Sequence, residues 1–130
     1  MMKRAWLAAV TVAALAVPAF TAEETVTFPS GPEKATGLLV TPAGKGPFPA
    51  LIVIQEWWGL DEWVKGQARA LGAEGYAALA VDLYHGKVTS NPDEAHQLMN
   101  GLPPDRAMRD LKAAFAYLKG RADVNKERIG

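Results

Sequence analysis

With 130 residues the chain has room for one domain. Apolar residues make up 49%, and 14 Lys and Arg balance 14 Asp and Glu, a globular composition and not a disordered one. Zero net charge gives no electrostatic reason for nucleic acid or an anionic membrane as partner, and the lack of cysteine excludes disulfides, thiolate metal sites and a lipidated Cys.

Met1-Met2-Lys3-Arg4 is a short basic segment, and Ala5 to Ala16 is an apolar run interrupted only by Thr11. Pro18 breaks that run, and small residues offer cleavage after Ala19 or after Ala22. About 15 apolar residues fall short of the roughly 20 that cross a bilayer. Residues 1–22 therefore read as a secretory signal. The expected mature domain is 23–130, secreted or periplasmic, with no stable membrane anchor once the signal is removed. Losing Lys3 and Arg4 leaves it slightly acidic.

Thr25–Phe28 and Ala35–Val40 alternate enough to predict two short strands, with Pro29-Ser30-Gly31-Pro32 as the turn between them. The Gly- and Pro-rich stretch from Thr41 to Pro49 is a loop. Ala50–Ile54 is an unbroken, β-branched apolar run, as expected of a strand buried on both faces. From Leu60 the spacing becomes helical, with Leu60, Trp63, Val64, Ala68 and Leu71 on one stripe, Asp61 as N-cap and Gly75 past the end. Tyr76–Val81 predicts a second buried strand, closed by Asp82.

A polar connection with His85, Gly86 and Lys87 leads to a short helix near Asp93–Met99. Pro104 suits the first turn of the next helix, whose predicted buried stripe is Met108, Leu111, Phe115 and Leu118 and whose end is Gly120. Arg128-Ile129-Gly130 looks like the start of another strand. The pattern predicts an α/β fold: a mostly parallel sheet with crossover helices, incomplete at its C-terminus.

Glu56 ends a buried strand beside Trp57 and Trp58, where ligands of open α/β sheets bind. Two readings of it stand: a desolvated acid or base with a raised pKa, or a solvated loop residue beside core tryptophans. Ser30 and Ser90, the only serines, lie in no Gly-x-Ser-x-Gly motif and fit turns. Of the two histidines, His85 is placed to line a cleft, whereas His96 belongs on a solvated helix face. Their spacing with Asp93 or Glu94 matches no metal-ligand pattern.

Gln55-Glu56-Trp57-Trp58-Gly59-Leu60, then Glu74-Gly75-Tyr76, Asp82-Leu83-Tyr84, Arg109-Asp110-Leu111 and Lys126-Glu127-Arg128-Ile129-Gly130, in this order and spacing, resemble the dienelactone hydrolase family over residues 25–130. The resemblance implies an α/β-hydrolase fold, with small-molecule esters or lactones cleaved by a Cys (or Ser), His and Asp triad without metal or organic cofactor. It also implies that Glu56 meets the resting nucleophile and that the Trp57 backbone N–H is an oxyanion donor. Trp58, Tyr84, His85 and Lys87 are the expected substrate-facing residues. The family's Gly-x-Cys-x-Gly turn is expected within about ten residues after Gly130, and the triad Asp and His later still, so these residues alone are expected to be inactive. The arginine that some dienelactone hydrolases carry after Asp-Leu-Tyr is replaced here by His85-Gly86-Lys87. The competing expectation is a small exported, non-catalytic binding domain, with the tryptophans and Glu56 taking an apolar or cationic ligand.

Overall fold

The computed structural model describes residues 21–130, so nearly all of the segment read as an export signal lies outside the described residues. Five strands and three helices follow in the order β1 (Ala22–Ser30), β2 (Glu33–Thr41), β3 (Phe48–Ile54), α1 (Glu62–Ala73), β4 (Ala77–Val81), α2 (Pro92–Asn100), α3 (Pro104–Lys119) and β5 (Val124–Ile129). The strands form one sheet in the order β1-β2-β4-β3-β5. It is mixed: β1, β2 and β4 run antiparallel to one another in turn, while β4, β3 and β5 are parallel. Among the described residues no helix is long and apolar enough to cross a membrane.

The β1–β2 hairpin is longer than its alternation suggests, because Pro29 and Ser30 still pair with Lys34 and Glu33. Proline is tolerated there since β1 is an edge strand. The turn shrinks to Gly31-Pro32, and Gly31, at φ 58°, supplies the positive φ that a two-residue hairpin turn needs at its first position.

Helix α1 starts as the sequence indicates, with the Asp61 carboxylate accepting the Val64 N–H at 2.9 Å. Val64 and Ala68 pack with Leu38, Val40, Ala78 and Ala80 on one face of the sheet. Trp63 departs from the predicted stripe and is 58% exposed. Helix α3 covers the other face, where Ala114 and Leu118 meet Phe28, Leu39, Leu79 and Val81.

The predicted stripe of α3 is also corrected. Met108 and Phe115 are exposed, and the buried positions are Asp110, Ala114 and Leu118. The cause is Asp110: its carboxylate is satisfied inside the protein, accepting the Ser30 hydroxyl at 2.5 Å and bonding His85 Nε2 at 2.9 Å. A reading that assigns every Asp to water rotates the helix toward Met108 and Phe115.

Candidate active-site cleft

The chain leaves β3 toward α1 on one face and leaves β4 toward α3 on the other. Connections that depart to opposite faces open a crevice between the carboxyl ends of adjacent strands, the usual ligand site of an open α/β sheet. Here its walls are Gln55–Gly59 after β3 and Asp82–Lys87 after β4.

Three contacts lock the walls together. Gln55 Oε1 accepts the Leu83 N–H at 3.0 Å, and the Trp58 carbonyl accepts the Thr89 N–H at 3.1 Å. Gly59, at φ 95°, lies against the Lys87 backbone, where any Cβ would collide. The second wall is also tied internally, because the Asp82 carboxylate accepts the N–H groups of Tyr84 and Gly86 at 3.2 and 2.6 Å. Arg106 closes it from α3 by donating to the Leu83 carbonyl at 3.1 Å. Within this tied loop His85 takes φ 51°, a left-handed conformation that costs a non-glycine residue about 1–3 kcal/mol unless its surroundings over-determine it.

Two adjoining cavities open on the crevice. One, of about 240 Å³, is lined by Gln55, Glu56, Trp57, Leu83, Tyr84, Met99 and Leu102. The other, of about 290 Å³, shares Tyr84 and Leu102 and adds His85, Lys87, Gln97 and Arg106. A roomier hollow of about 520 Å³ lies between Gly86–Thr89 and α2; it shares Lys87, Gln97 and Leu98 with the second cavity and touches neither Glu56 nor Trp57.

The structure thus brings Glu56, Trp57 and Tyr84 to one cavity and Tyr84, His85 and Lys87 to the next. Trp58 lines neither and braces Trp57 instead, ring centroids 4.5 Å apart. Glu56 is exposed, so the burial that would have marked it as a perturbed acid is not found. His96 is exposed, as expected of a wet helix face, yet its ring meets the Trp57 ring edge-on at 4.9 Å. Burial pushes the Tyr84 phenol above the ordinary tyrosine range. Sequence reasoning missed Gln55 as a clamp, Asp110 as the partner of His85 with Ser30 bonded to its other oxygen, and Arg106 as a cavity wall. Among the described residues no group of three or more His, Asp and Glu is placed to hold a metal ion.

The sheet order and the crevice position define an α/β-hydrolase fold, and solved structures agree. The structure of m3DLH superposes with a TM-score of 0.73 at 28% identity over 84% of this chain and 47% of its own. A dienelactone-hydrolase-like protein from Klebsiella pneumoniae subsp. pneumoniae gives 0.74 at 26% identity, over 85% of this chain and 48% of its own. Residues 35–130 match the model of the Dienelactone hydrolase family, and the chain belongs to that family. A carboxymethylenebutenolidase-like protein of Methylorubrum extorquens is 37% identical over 94 residues, 68% of this chain and 32% of that protein. One from Aquifex aeolicus is 38% identical over 100 residues, 72% and 42% respectively. The chain spans about a third to two fifths of the length of these relatives.

Proposed function

We propose that this chain contributes the β3/β4 wall of a site that hydrolyses small carboxylic esters or lactones. The observation that carries the reading is the placement of Glu56 and Trp57, in a family-matched segment, on the crevice where the connections of β3 and β4 part. In this reaction a nucleophile adds to the carbonyl carbon, and the carbonyl oxygen gathers negative charge. The Trp57 backbone N–H donates to that oxygen. A donor of this kind is worth about 2.7–4 kcal/mol in the transition state. Glu56, exposed at the crevice, meets the nucleophile at rest. Tyr84, His85 and Lys87 face the rest of the substrate, with Lys87 acting as a point charge and not as the planar fork of an arginine. No metal or organic cofactor enters this scheme.

The 130 residues contain no Cys and no serine in an elbow motif, so by this reading they turn over no ester alone. The test joins residues 22–130 to the second half of a family member of solved structure and assays 4-nitrophenyl acetate and dihydrocoumarin. Turnover by the folded chimera, lowered by Glu56→Gln, supports the reading. A folded chimera without turnover, or one indifferent to Glu56→Gln, refutes it.

The basic and apolar start of the chain supports export as part of the same reading. Cell fractionation should then find the protein outside the cytoplasm, beginning at Phe20 or Glu23. A cytoplasmic protein that retains Met1 or Met2 would sink this part.

A further inference from the structure

Asp110 is buried with no exposed surface, and the hydrolytic scheme gives it no role. Its two oxygens are both engaged: Oδ1 accepts the Ser30 hydroxyl at 2.5 Å, and Oδ2 lies 2.9 Å from His85 Nε2. Ser30, at the end of β1, is equally buried. The three residues come from β1, the loop after β4, and α3, so the network joins distant parts of the chain at one ring. That ring lines the cavity beside Tyr84, Lys87 and Arg106.

We infer that Asp110, steadied by Ser30, is a positioning residue that holds the His85 ring as its Nε2–H tautomer, leaving Nδ1 for the substrate cavity. The inference rests on the reading of that crevice as a substrate site. A carboxylate offers only acceptors, so the nitrogen facing it carries the proton. The Ser30 hydroxyl occupies the other oxygen and fixes the carboxylate plane. In the neutral ring Nδ1 is then a lone pair, one acceptor beside the two donors Lys87 and Arg106. The same bond gives the left-handed backbone of His85 a reason to persist, because ring and backbone are both held. A histidine whose tautomer is set by its second partner is a known way of fixing which nitrogen works.

The test is ¹⁵N-histidine NMR on the 130-residue chain at pH 8, reading each ring's tautomer from its two-bond nitrogen–proton couplings. There are two histidines, and His85→Gln assigns them. His96, with Trp57 as its aromatic neighbour, serves as the internal reference. The expected result is a single Nε2–H form for His85. In the double variant Ser30→Ala, Asp110→Leu, which replaces both polar partners by apolar groups and so strands neither, His85 should become a mixture of tautomers. An Nδ1–H or mixed ring in the unaltered chain overturns the inference, as does a single Nε2–H form that survives in the folded double variant. Should that variant not fold, the unaltered chain alone decides by the same criterion. The tautomer is readable whether or not any ester is cleaved, so failure of the hydrolase reading and failure of this one are separate results.

Discussion

Strands β3 and β4 have almost the same kind of sequence, Ala-Leu-Ile-Val-Ile against Ala-Ala-Leu-Ala-Val, and very different surroundings. β4 is buried at all of its 5 residues, with β2 and β3 on its edges and helices over both faces. β3 is only half-buried, and Ile54 at its end is 59% exposed. Its outer neighbour β5 is exposed at half of its residues and pairs with a shift of register between Phe48 and Ala50. Apolar sequence alone therefore does not tell a central strand from one whose cover is partial. What separates them is how completely their neighbours cover each, since both have a strand on either edge.

Single substitutions test how far that difference in cover sets stability. Leu79→Ala, at the centre of β4, should lower unfolding free energy by about 2–5 kcal/mol in a urea titration, the range for a buried leucine. Ser30→Ala leaves one Asp110 oxygen unpaired under α3 and should cost about 1–3 kcal/mol in the same titration. Ile54→Ala should change stability by less than about 0.5 kcal/mol, as for an exposed site. A loss at Ile54 as large as that at Leu79 would mean that β3 is covered in solution, and sedimentation would then show self-association.

The β5 side also has a pH signature. Arg121 forks onto Asp123 with two 2.9 Å hydrogen bonds, and the Asp123 carbonyl accepts the Phe48 N–H at 2.8 Å, where β5 joins β3. The Arg121 guanidinium holds the Asp123 carboxyl below the usual aspartate range, against the opposing effect of burial. A depressed carboxyl stabilises the fold above its unfolded pKa, and that contribution fades as pH falls through the folded value. Asp123→Asn should therefore flatten the acid side of the stability profile while leaving its slope above neutrality unchanged. Circular dichroism melts from pH 9 down to pH 2 measure this, and parallel profiles would show that the pair contributes nothing.

Much of the architecture was legible in the residues themselves. Asp61 caps α1, Pro104 opens α3 and Gly120 closes it, because each residue type solves a local backbone problem that does not depend on tertiary context. The crevice walls were legible too, since Gln55–Gly59 and Asp82–Lys87 follow the two apolar runs directly. What was not legible depended on partners remote in sequence. Asp110 looks like a wet residue until Ser30, 80 positions away, and His85 are seen to satisfy it. Misplacing that one residue misplaces the face of α3, and with it Met108 and Phe115. The contacts of Trp58 and His96 with the Trp57 ring were not legible for a similar reason, because an aromatic contact leaves no periodic trace.

The proposed reaction depends on the Trp57 backbone N–H, on the β3 wall, stabilising the transition state. Comparing Trp57→Ala with Trp57→Pro in the ester-cleaving chimera tests it most directly, because alanine keeps the N–H and proline removes it. With both variants shown to be folded by their melting curves, kcat should stay within about tenfold of the parent for Ala and fall about 10²–10³-fold for Pro. Equal losses in the two variants would contradict it, since the indole and not the backbone donor would then be what matters.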